Sequence, residues 1–146
     1  MFGPPGRLYV YFSYGVHWCA NVVVGADGDG EAVLLRAGEV VLGEELARSR
    51  RPSARSPREL AGGPARLAQA LAIGREDLGT DLLDATSPVR LHRGPAPSAI
   101  SAGPRVGISH ATELPWRFWE TDAASVSVFR PGGKPRRSRA RQTGTP

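Results

Sequence analysis

Residue types able to do chemistry are concentrated between Arg7 and Asn21, where the chain runs RLYVYFSYGVHWCAN. That stretch holds all three tyrosines of the 146 residues, Tyr9, Tyr11 and Tyr14, with His17 and Trp18 close behind. An aromatic ring offers wide contact area at little rotamer cost and keeps a polar tip, so such crowding suits a surface that stacks on flat ligands. It suits an ordinary core hairpin as well, since aromatic residues are common in strands. Two arginines are further candidates. Arg36 stands at a strand end beside Leu34 and Leu35, where it either caps a surface ladder or projects a fixed cation into a cleft. Arg66 stands in the first turn of a helix, whose exposed N–H groups make that start a candidate phosphate site; a solvent-facing arginine is the alternative. Cys19 is read as buried filler and His92, between Arg90 and Arg93, as structural. The sequence has no Gly-rich phosphate loop and no Cys/His spacing for a metal, so neither a metal nor a cofactor is expected.

These side chains need elements to hold them. Two β-prone runs, residues 7–12 and 16–24, flank Ser13-Tyr14-Gly15, a break short enough for a hairpin tip with glycine where positive φ is easiest. The tip would make Tyr14 protrude. Alternation puts Leu8, Val10 and Phe12 on a core face and Tyr9 and Tyr11 on the other. After a turn at 26–30, residues 31–37 read as a third strand. Residues 43–50 read as a short amphipathic helix with Leu42, Leu46 and Ala47 on its apolar side, and residues 51–57 as a polar basic loop. Residues 60–73 give the clearest helix, with Pro64 at its first helical position, an apolar face of Leu67, Ala70 and Leu71, and a stop at Gly74. An acidic loop follows at 76–84, then a strand at 89–92, a Pro- and Ser-rich loop at 94–103, and a short strand at 104–110 that breaks at Gly107. Residues 116–119 and 125–129 complete the fold.

One compact domain is expected from this length and from a hydrophobic content of 40%. No apolar run approaches the ~20 residues of a bilayer span, and the N-terminus lacks an apolar signal region, which points to an intracellular, cytoplasmic protein away from membranes. A single cysteine excludes an internal disulfide. Six of the 19 basic residues fall in residues 130–146, which carry no acid, leaving 13 basic against 14 acidic residues in the rest. That tail is read as a disordered basic arm suited to nucleic acid, or else as a solvated tail without a specific role.

Taken together, YVYFSYGVHWCAN, AVLLRA, GGPARLAQALAI and PRVGISH, in this order and at these separations, resemble the alkyladenine (3-methyladenine) DNA glycosylase family from Met1 to about Phe129. The resemblance implies an α+β fold: a curved, open-barrel-like antiparallel sheet with a protruding β-hairpin and a few flanking helices. It implies a cofactor-free, monofunctional enzyme of base-excision repair, a monomer acting on double-stranded DNA. Such an enzyme flips an alkylated or deaminated purine out of the duplex and hydrolyses its N-glycosidic bond. By the same resemblance Tyr14 is the wedge that fills the gap left by the flipped nucleotide, and Val16 and His17 press on neighbouring bases. Tyr11 stacks on the flipped base, and Asn21 crowds the exocyclic amino group of normal guanine. Arg36 and the Val106 carbonyl hold the nucleophilic water; Arg66, Arg75 and Gly107 lie along the DNA. Physics agrees with the wedge, because unstacking a base costs a few kcal/mol and a ring on a turn recovers part of that.

The family also carries, upstream of the stretch that opens this chain, a general-base Glu together with a Tyr and a His of the base pocket. No acid of this chain aligns with that Glu. The expectation is therefore an N-terminally truncated C-terminal portion, residues 1–129, of a single glycosylase domain. Three readings follow: an enzyme completed by the missing part, a catalytically dead DNA-binding remnant, and a basic RNA-binding protein. The last leaves Tyr11, Tyr14 and Asn21 unexplained.

Overall fold

The computed structural model describes residues 1–129, so the basic tail at 130–146 lies outside the described residues. The described residues form two compact units, Met1–Ala96 with Asp122–Ser127, and Pro97–Thr121 with Val128 and Phe129. The architecture is α+β with antiparallel, unclosed sheets and few helices.

The first unit is built on strands β1 (Leu8–Ser13), β2 (His17–Val24) and β3 (Glu31–Leu34), antiparallel in the order β1-β2-β3. Tyr9 faces Asn21, Tyr11 faces Cys19 and Ser13 faces His17 across the hairpin. The central strand is covered on both sides. Cys19, Asn21 and Val23 are buried along one face, and Ala20 is buried on the other. Leu8, Val10 and Ala20 join Ala68, Ile73 and Leu82 in one apolar cluster, while Ala47, Leu60, Ala61, Leu67 and Ala70 form a second. Leu35 packs against both, which couples the sheet to the helices. Phe12 departs from the expected core face: it is 49% exposed and leans on Trp18, with ring centroids 4.8 Å apart.

Among the described residues three helices accompany this sheet, α1 (Glu44–Arg50), α2 (Pro57–Leu60) and α3 (Pro64–Ala70), followed by one 3-10 turn at Arg75–Asp77. The single helix expected over 60–73 is thus broken. A side chain at Gly62 would come within 2.7 Å of the Arg58 carbonyl, so the chain passes close over α2 before Pro64 starts α3. The helix also ends sooner than Gly74. Ala72 is left-handed (φ 53), Ile73 N–H donates to the Ala68 carbonyl at 2.8 Å and Ala72 N–H to the Gln69 carbonyl at 3.1 Å, a Schellman stop with alanine in the place usually given to glycine. That stop turns Leu71 outward. In α1 only Ala47 is buried; Leu42 and Leu46 are exposed, so the apolar side expected there is narrower. The loop expected at 51–57 gives way to α2 at Pro57.

Residues 89–92 are not a strand. Leu91 N–H donates to the Leu82 carbonyl at 2.8 Å, and no ladder of backbone bonds follows. The third strand stops at Leu34, with one further bond from Leu35 N–H to the Ala20 carbonyl, so Arg36 lies just beyond the ladder. In the second unit β4 (Ile100–Gly103) pairs antiparallel with β5 (Arg117–Glu120). The first of these falls in the segment expected to be a loop. Residues 104–110, expected as a strand, instead follow β4 as irregular backbone, and residues 125–129 form no strand. Among the described residues no helix is long and apolar enough to cross a membrane.

Candidate nucleic-acid interface

The hairpin between β1 and β2 presents the residues the sequence singled out. Its tip is a tight turn in which Val16 N–H donates to the Ser13 carbonyl at 3.0 Å. Both central residues have positive φ, Tyr14 at 50° and Gly15 at 66°, as in the primed turns that match strand twist. Tyr14 is 90% exposed, and Val16 beside it is exposed as well. The ring therefore stands clear of the protein on a turn pinned by strands at its base.

Behind the tip, Tyr9 and Tyr11 lie on the same face of β1, stacked with centroids 5.8 Å apart and ring planes inclined by 30°. Tyr11 is half-buried. Desolvation, and then the neighbouring Cys19 thiol, raise its phenol above the ordinary 10.0, so it is a neutral ring at physiological pH. Asn21, opposite Tyr9, is 6% exposed and its Nδ2 donates to the Tyr9 carbonyl at 3.0 Å. A carbonyl accepts only from the NH₂ end, so this bond fixes the amide's orientation. The structure thus brings Tyr9, Tyr11 and Asn21 onto one face, with Tyr14 at the end of the same hairpin.

On the other side of the hairpin a cleft of about 540 Å³ begins at Val16 and His17 and runs toward α1 and α3. His17 is half-buried there, and Arg66 on α3 reaches it as an exposed cation without a partner among the described residues. Arg50, Arg51 and Gln69 also line it, and sequence reasoning missed all three. Residues 51–57 read only as a basic loop, and periodicity cannot report a side-chain amide that ties two helices together. Arg75, exposed on the 3-10 turn, is not among the residues of this cleft. Arg36 is half-buried and engaged within the fold. Val106 and Gly107 belong to the second unit: Val106 is half-buried after β4, and Gly107 is left-handed at φ 74. Among the described residues no group of three His, Cys, Asp or Glu is placed to hold a metal.

A family model described as methylpurine-DNA glycosylase matches residues 1–124. A candidate 3-methyladenine DNA glycosylase of Nocardia farcinica is 52% identical over 132 residues, covering 89% of this chain and 62% of the relative. One of Mycolicibacterium fortuitum is 54% identical over 131 residues, 89% of this chain and 66% of the relative. One of Mycobacterium tuberculosis is 52% identical over 130 residues, 89% and 64% respectively. The chain therefore spans a little under two thirds of the length of these relatives.

Proposed function

The chain belongs to the methylpurine-DNA glycosylase family, and on that premise we propose that it serves the excision of damaged purines from duplex DNA by base flipping and N-glycosidic hydrolysis. The observation that carries this reading is the hairpin, with a fully presented Tyr14 ring at its tip and a stacked pair of tyrosines beside a fixed Asn21 behind it. A rigid ring on a turn can enter a duplex and replace the stacking of an extruded base, while Tyr11 offers that base a flat, uncharged partner. Asn21 would crowd the exocyclic amino group of a normal guanine. Val16 and His17 border the tip and would touch adjacent bases; Arg66, Arg75 and the exposed Gly107 backbone would follow phosphates.

Hydrolysis itself needs a water, a group to orient it and a proton acceptor. Arg36 serves as the orienting donor and the Val106 carbonyl as a water acceptor in this proposal. Neither takes a proton at neutral pH. The glutamate that the family resemblance calls for is assigned to no residue here, so the binding and flipping functions are placed in this chain and the rate of hydrolysis depends on a carboxylate. Residues 1–129 are proposed to act as one glycosylase domain and to do so as a monomer.

Tyr14→Ala tests the wedge. Binding to a duplex carrying hypoxanthine should weaken by about 1–3 kcal/mol, the range for one aromatic stacking contact, while affinity for an undamaged duplex stays nearly unchanged. Equal loss on damaged and undamaged duplexes would reject the wedge.

A further inference from the structure

The cleft beside the hairpin has an uncommon charge arrangement. Arg50 donates through Nη1 to the Ala70 carbonyl at 2.9 Å. Arg51 donates through Nη1 to the Gln69 Oε1 at 2.8 Å, and Gln69 Nε2 donates back to the Arg50 carbonyl at 2.9 Å. The end of α1 is thus stitched to α3 by a reciprocal set of bonds around one glutamine. Every acceptor in that set is neutral. Among the described residues Arg50, Arg51 and Arg66 make no ion pair, and the cleft they share with His17 is lined by no carboxylate. The Arg51 Nε is buried and has no hydrogen-bond partner among the described residues. Elsewhere on the same helix the ordinary solution appears: Arg48 pairs with Glu44 at 2.7 Å.

Guanidinium groups held by neutral acceptors are fixed in position without being neutralised, which leaves their full charge for an external anion. We propose that Arg50 and Arg51, positioned by Gln69, grip the phosphodiester backbone of DNA in this cleft, next to the point where the hairpin tip enters the duplex. The inference rests on the reading of the chain as a DNA glycosylase and adds to it a grip whose residues neither composition nor motif singled out. A preset grip beside the wedge fixes the duplex before the ring presses in, so the strain of unstacking is borne against a held backbone. Gln69 is a positioning residue, because it acts through the two arginines.

Duplex binding by the whole chain, measured over a salt series, tests this. Neutralising one phosphate contact lowers the slope of log K against log salt by about 0.9. Arg50→Gln and Arg51→Gln, each verified as folded by its melting curve, should each lower the slope on an undamaged duplex by about that amount. An unchanged slope in the folded variants would overturn the proposal. Gln69→Glu provides the independent arm, since it places a carboxylate against Arg51 without removing either arginine. It should reduce duplex affinity at low salt by about three- to tenfold with the chain still folded, and Gln69→Ala should fall between it and the parent. Undiminished affinity in folded Gln69→Glu would likewise overturn the grip. The ratio of affinities for hypoxanthine-bearing and undamaged duplexes reports separately on the glycosylase reading. Loss of the slope effect with that ratio intact rejects the grip alone, whereas a ratio of one with the slope effect present rejects lesion recognition and leaves the grip.

Discussion

At the scale of single residues, the hairpin tip sets stability against use. Tyr14 holds φ 50 although it is a bulky residue, and its ring is 90% exposed, so it gains little from burial and bears the strain of left-handed backbone. Asparagine tolerates this conformation better. Tyr14→Asn should therefore raise the melting temperature, equivalent to about 0.5–1 kcal/mol, while lesion capture falls as it does in the alanine variant; a stabilised protein with undiminished capture would remove Tyr14 from the site. Tyr11 makes a second prediction. Its folded phenol ionises above the ordinary 10.0 because burial and the Cys19 thiol disfavour the anion. The folded state thus binds a proton that the unfolded chain releases first. The contribution of Tyr11 to stability is complete below pH 10 and is lost as pH rises through its raised folded value. Absorbance titration of the parent against Tyr11→Phe should place the ionisation that disappears on the alkaline side of 10.

At the scale of elements, the stop of α3 decides how the cleft is shaped. Ala72 occupies the left-handed position of a Schellman motif and also lines the cleft. Ala72→Gly should stabilise the chain by about 0.5–1 kcal/mol, read from chemical denaturation, because glycine takes this conformation without a Cβ penalty. Destabilisation would mean that the methyl group's packing outweighs backbone strain. The same element shows where sequence reasoning succeeded and where it could not. The hairpin was legible because strict alternation flanks a Ser-Tyr-Gly break, and Pro64 marked the start of α3. The end of α3 was not, since the chain stops at an alanine that no propensity flags. Residues 89–92 have strand-forming types but only the Leu91 amide finds a backbone partner among the described residues, and an extended segment without a ladder is not a strand. The strand β4 was hidden behind proline and serine. Its pairing with β5 is set by a long-range fit, with Gly103 leaving room for the Trp119 ring, 3.1 Å from where a Cβ would sit. Of the candidate site, the shared face of Tyr9 and Tyr11 follows from alternation and Asn21 from the family resemblance; Arg50, Arg51 and Gln69 follow from neither, since their meeting depends on how α1 packs on α3.

At the scale of the whole molecule, charge and length set the expectations. Residues 130–146 carry six of the 19 basic residues, and the rest of the chain holds 13 basic against 14 acidic ones. Removing that segment should weaken non-specific duplex binding and flatten its salt dependence while leaving the preference for damaged duplex almost unmoved; an unaltered slope would show that the segment does not meet DNA. Under the proposed function, and because no residue here is assigned as general base, excision of hypoxanthine by the 146 residues should forgo the ~10²–10⁴-fold that a general base contributes. Rapid excision in single-turnover measurements would locate the base inside this chain. The burial of Cys19 has one more consequence. It is the chain's one thiol, 3% exposed in the middle strand of the three-stranded sheet. A thiol reagent can reach it only when the groups that cover this face of β2 move aside, so the labelling rate at Cys19 clocks local opening at the hairpin's own foundation. If DNA seats on that hairpin, adding duplex should slow the clock, giving a label-based readout of docking that needs no turnover at all.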